Sequence, residues 1–126
     1  MKTIAIDFNG VIHEYSKGWQ GGKIYDPILP EAINSIKTIL MEGNHVFILA
    51  VGPTAAIADH MNALNLGVKF EVIPEEAPSW EKDNIVGVTN RKLPFTVLID
   101  DRAICFKGDW RKALTEAKKF KTWQNK

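Results

Sequence analysis

Three carboxylates set the chemistry this chain can do. In the stretch KTIAIDFNGVIH an apolar, β-branched run ends on Asp7 and is followed by Asn9-Gly10, so a buried strand delivers the acid to a tight turn and leaves it exposed. A second apolar run, FTVLI, is bounded by Pro94 and ends on Asp100-Asp101, the pattern of a fully buried parallel strand. Ligands of open α/β sheets bind at strand carboxyl ends, where loops form a crevice and helix amino termini point N–H groups into it. Acids brought together there repel one another until one takes a proton or a cation neutralises them. For an all-oxygen donor set the expected cation is Mg2+, which is held by carboxylates, waters and a substrate phosphate.

These residues resemble the haloacid dehalogenase-like (HAD) superfamily. Its first motif, DxDx(T/V), is met by Asp7-Phe8-Asn9-Gly10-Val11, its acidic fourth motif by Asp100-Asp101, and its basic third-motif residue by Lys92. The resemblance runs over nearly the whole chain with the motifs in order. It implies that Asp7 attacks phosphorus to form an aspartyl phosphate and that Lys92 steadies the charge. Asp7, Asp100, Asp101 and the Asn9 backbone carbonyl would hold Mg2+. It also puts Gly10, Ala50 and Val51 against the phosphoryl group.

Two positions depart from the family pattern. Asn9 stands where the family has its general acid and base, and an amide cannot shuttle a proton at neutral pH. Loss of such a group costs about 10²- to 10⁴-fold in rate. The hydroxyl expected after the second strand is Ala50, and none follows until Thr54, which reads as a helix N-cap. The resemblance therefore implies a Mg2+-dependent phosphohydrolase of phosphate monoesters, slowed at proton transfer. The alternative is an impaired HAD-like protein that binds a phosphorylated ligand, a nucleotide or a protein partner. A receiver domain would carry its acidic pair after the first strand, the reverse of the order here.

The elements that must position these groups follow from length and periodicity. A chain of 126 residues, 45% hydrophobic and 25% charged, is one globular domain, residues 1–126. No apolar run approaches the roughly 20 residues of a membrane span, and a strand begins at once with no signal peptide, so a cytoplasmic location is expected. Cys105 is the single cysteine and reads as a buried structural thiol. Residues 107–126 carry a net charge of +5 and the remainder −4. That basic tail reads as a solvated helix face in preference to a nucleic-acid contact, because its cations interleave with a helical apolar stripe.

Strands are expected at 3–6, 46–49, 69–73, 95–99 and 103–106, alternating with three helices. The first helix starts at Leu29-Pro30-Glu31 and ends at Gly43, and the second is capped by Thr54 and ends at Gly67. The third is opened by Asp109, with Trp110, Ala113, Leu114, Ala117 and Phe120 facing inward. This order predicts a doubly wound α/β fold of Rossmann type, a three-layer sandwich around a mainly parallel five-stranded sheet with right-handed crossovers. The resemblance makes residues 14–27, rich in Gly, a flap over the site, too short to be a cap domain. The open site suits a phosphorylated small molecule or the phosphorylated end of a macromolecule. His13, Tyr15 and Trp19 are candidates for substrate contact, the alternative for His13 being an exposed turn residue. His60 reads as a surface or boundary residue, 74–83 as an exposed loop or short irregular helix, and Trp80 and Trp123 either as interface markers or as scattered exposed aromatics that need no explanation.

Overall fold

The structure, a computed structural model, describes residues 1–124. Its strands are β1 (Thr3–Asp7), β2 (His45–Leu49), β3 (Lys69–Val72), β4 (Ile85–Thr89) and β5 (Val97–Ile99), and its helices are α1 (Ala32–Met41), α2 (Thr54–Ala63) and α3 (Trp110–Lys119). All strand pairs are parallel, in the order β3-β4-β2-β1-β5, so the chain is an α/β protein with a Rossmann-like sheet.

The period-two alternation of the strands divides the core. β1 sends Ile4 and Ile6 to one face and Ala5 to the other, and β2 does the same with Val46 and Ile48 against Phe47. The first face is covered by α1 through Ile36 and Leu40 and by α2 through Ile57, Ala58 and Met61. The second is covered by Ile73, Trp80 and Leu93, which lie on connections rather than helices. Handedness explains the division. The path β1 to β2 to β3 runs in one direction across the sheet, and right-handed crossovers keep both helices on one face. The steps to β4 and then β5 reverse direction, which throws their connections onto the opposite face.

Several expectations are corrected. The central strand β4 was not anticipated, because Gly87 interrupts its β-branched run; a Cβ there would lie 2.6 Å from Ile73 and 2.7 Å from Trp80. Trp80 is thus a core residue that closes the second face, its indole N–H donating to Ile85 O at 3.2 Å, and not an interface marker. Residues 103–106 form no strand, and Cys105 and Phe106 are exposed. The first helix begins at Ala32, with Glu31 in the left-handed region at its N-cap, so Pro30 precedes the helix. The N-cap of α2 is Pro53, whose fixed φ of −66° supplies the extended cap geometry, and Thr54 is the first helical residue. Asp109 does cap α3, accepting from Lys112 N–H at 3.1 Å.

The inward face expected of α3 is absent. The helix buries no residue and meets no strand or helix of the body, and Trp110 is 77% and Leu114 56% exposed. An apolar stripe encodes a face but not its partner. Beside α1, Val97 and Ile99 of β5 are correspondingly left on an uncovered part of the sheet.

Candidate functional site

Register brings the three acids together. β1 and β5 are neighbours paired Ile4↔Val97, Ala5↔Leu98 and Ile6↔Ile99, so Asp7 and Asp100 leave adjacent strands at the same level. The chain turns away from β1 toward β2 on one side and reaches β5 on the other, which makes the β1/β5 boundary the topological switch point where a crevice opens. One oxygen each of Asp7, Asp100 and Asp101 lies within 4.8 Å of the others.

The loop after β1 is wound around one carbonyl, with Phe8 O accepting from Ile12 and His13 N–H at 2.9 Å each. Gly10 has φ +85°, and a Cβ on it would overlap Asp101 Oδ2 and stand 2.9 Å from its Cγ. Asp100 Oδ1 accepts from Arg102 N–H at 2.8 Å, which fixes its orientation. Asp101 Oδ1 is buried and has no hydrogen-bond partner among the described residues. Burial, then the Asp100 charge, then hydrogen bonding and charge from Asp101 push the Asp7 carboxyl up to about 8, against a smaller opposing hydrogen bond from Phe8. An orphaned buried carboxylate oxygen beside two further acids fits a divalent cation, which would satisfy the first and neutralise the others.

The other predicted residues are distributed differently. His13 is fully buried beneath the flap. Its Nε2 accepts from Asp26 N–H at 3.0 Å, so the ring proton is on Nδ1, which donates to Asn9 Oδ1 at 2.9 Å. Burial lowers its pKa, in keeping with this neutral tautomer. Neither ring nitrogen is left for a substrate, which corrects both readings of His13. Ala50 is buried and its N–H donates to Thr89 O at 2.9 Å, so that amide serves the sheet and no phosphate; Val51 beside it is exposed. Lys92 is exposed with Nζ 5.8 Å from the Phe95 ring centre, and among the described residues it forms no ion pair. Arg91 donates to the carbonyls of Pro74 and Ala77 and is structural. His60 is half-buried on α2, and Trp19 is exposed on the flap.

The flap is a stitched loop in which Tyr25 Oη donates to Gly18 O at 2.7 Å and Asp26 Oδ2 accepts from Ser16 N–H at 2.6 Å. Tyr15 takes φ +62° there, a left-handed conformation unusual for a bulky side chain. Trp123 donates its indole N–H to Gly10 O at 2.9 Å, tying the carboxyl-terminal turn to the site loop. Sequence reasoning passed over Arg102 and Lys17, which line the adjoining pocket; the one available signal was a cation directly following the acidic pair.

The fold and site together define a Rossmann-like α/β domain with an acidic triad at the switch point of its sheet. A solved structure of a conserved protein from Bacteroides thetaiotaomicron is similar to it, with a TM-score of 0.53 and 18% identity over 98% of this chain and 95% of that one. That likeness is one of fold. No family model and no curated protein matches the chain. No helix among the described residues is long and apolar enough to cross a membrane.

Proposed function

We propose that the chain is a Mg2+-dependent phosphohydrolase of HAD type acting on phosphate monoesters. The observation that carries this reading is the convergence of Asp7, Asp100 and Asp101 within 4.8 Å, with Asp101 Oδ1 buried and unpartnered. Asp7, Asp100 and Asp101 would hold a cation, whose positive charge would keep Asp7 ionised and offset the charge of the phosphoryl oxygens.

Asp7 is the nucleophile: its carboxylate oxygen forms a bond to phosphorus as the ester P–O bond breaks, and water then hydrolyses the aspartyl phosphate. The leaving oxygen takes its proton from solvent, because Asn9 has none to give and its Oδ1 is engaged by His13. Such a site turns over esters of acidic leaving groups, aryl phosphates above all, faster than those of alcohols. Lys92 is exposed, and its ammonium would add to the cation's charge in steadying the phosphoryl oxygens.

The test is phosphate release from p-nitrophenyl phosphate with added Mg2+. Release that disappears in Asp7→Ala supports the reading, and equal release from both proteins ends it. A non-catalytic phosphate binder is the second reading, favoured by the same Asn9 lock and by the engagement of the Ala50 amide in the sheet. Thermal stabilisation by phosphate and Mg2+ together, without turnover of any ester, would select it.

A further inference from the structure

A cavity of about 640 Å³ opens between the flap and the carboxyl-terminal turn, and its lining includes Tyr15, Lys17, Arg102, Trp123 and Gln124. This volume is in the range of small-molecule sites. Two of its lining residues connect it to the acids: Arg102 follows Asp101 in the chain, and Trp123 is hydrogen-bonded to Gly10, the residue on which Asp101 rests. The Tyr15 hydroxyl feels the charges of Arg102, Asp101 and Asp7, after the larger effects of burial and Tyr25.

The lining has two recognition chemistries. Trp123 is 47% exposed yet held by its N–H, so an aromatic ring is fixed in the cavity wall, and Tyr15 lines it on a strained backbone. Lys17 and Arg102 form no salt bridge among the described residues. Glu14 also lines the cavity and offsets one of these cations, which leaves a net charge of about +1 and favours one additional anionic group over a polyphosphate chain.

We propose that this cavity binds the organic part of a nucleotide carrying a second phosphate. The base lies against Trp123 and Tyr15, the second phosphate meets Lys17 and Arg102, and the first phosphate reaches the acidic triad. Nucleoside bisphosphates are the simplest members of the class. An aromatic side chain beside cations free of salt bridges is the pairing by which proteins hold a base and its backbone charge. The proposal rests on the phosphohydrolase reading for the direction in which the ligand lies, but not for the existence of the site.

The experiment is calorimetric binding of adenosine 3′,5′-bisphosphate, adenosine 5′-monophosphate and inorganic pyrophosphate to the full chain with Mg2+, using Asp7→Asn so that nothing turns over. The bisphosphate is expected to bind about tenfold tighter than either other probe, with Trp123→Ala and Arg102→Ala each losing about tenfold. Trp123→Phe, which keeps a ring, should retain most of the affinity even where Trp123→Ala is too unstable to measure. Pyrophosphate binding as tightly as the bisphosphate, or affinity indifferent to Arg102→Ala, or to Trp123→Ala in a variant that folds, would overturn the proposal. Bisphosphate binding that depends on the cavity, in a wild-type protein inert toward every ester, supports the site while ending the phosphohydrolase reading. Hydrolysis of p-nitrophenyl phosphate with no nucleotide bound does the reverse.

Discussion

His13 Nδ1 donates to Asn9 Oδ1 at 2.9 Å, from a ring whose other nitrogen accepts a backbone N–H. The contact orients Asn9: its carbonyl oxygen accepts from His13, and its NH2, which gives up no proton at neutral pH, is left without a partner among the described residues. An aspartate in its place would accept the same bond through one oxygen and keep the other for proton transfer. Asn9→Asp should therefore raise phosphate release from an alkyl phosphate, whose leaving oxygen needs a proton, by about 10²-fold, and from p-nitrophenyl phosphate by much less. Steady-state kinetics near neutral pH provide the check, and an unchanged kcat would show that the amide is not the limiting defect.

The site loop tolerates no side chain at Gly10. An added Cβ would overlap Asp101 Oδ2, and φ is +85°, so Gly10→Ala meets both a clash and left-handed backbone strain. A loss of about 2 to 4 kcal/mol in stability is expected from the two together. Displacement of Asp101 should also weaken cation binding, read as a smaller Mg2+-dependent rise in Tm. A variant with wild-type Tm and wild-type Mg2+ response would contradict the placement of Asp101.

How much of this could be read from the residues depends on what each pattern encodes. Asp7 and Asp100-Asp101 were legible because an apolar run ending in an acid specifies both a strand and its exposed end, and parallel pairing of β1 with β5 then aligns them. β4 was not, since Gly87 is in the strand to make room for Trp80, a contact between residues on different elements. The run at 103–106 has strand-like residues but lies beyond β5, which is itself the sheet edge. His13 illustrates the same limit at the site: spacing placed it near the chemistry, whereas its burial and the hydrogen bonds at both its ring nitrogens depend on contacts that spacing does not encode.

Asp7 makes stability and cation binding depend on pH in opposite directions. Its carboxyl ionises near 3.8 in the unfolded chain and about 8 in the cation-free native state, so between these values the unfolded chain has released a proton that the native one retains. Stability of the cation-free protein therefore falls as pH rises through this window. Cation binding displaces that proton, so Mg2+ affinity should climb from pH 5 to about 8 and then level off. Thermal melts across this range, with and without Mg2+, check both trends. In Asp7→Asn the cation-free protein should lose this part of the decline, and an identical pH profile in the variant would show that Asp7 is not the group responsible.

Trp80 and the α3 residue Leu114 offer the sharpest contrast between two apolar side chains that look alike in sequence. Trp80 is buried against Gly87 on the second face of the sheet, and Trp80→Ala should cost about 3 to 5 kcal/mol. Leu114 lies in the apolar stripe of α3 but is 56% exposed on a helix that buries nothing. Leu114→Ser should change stability by no more than about 0.5 kcal/mol, as for surface substitutions generally. Urea unfolding of the two variants at low protein concentration makes the comparison. A loss of about 2 kcal/mol or more at Leu114 would mean that α3 is seated on a hydrophobic surface, and Val97 and Ile99 of β5, left uncovered beside α1, would be the first place to look for it.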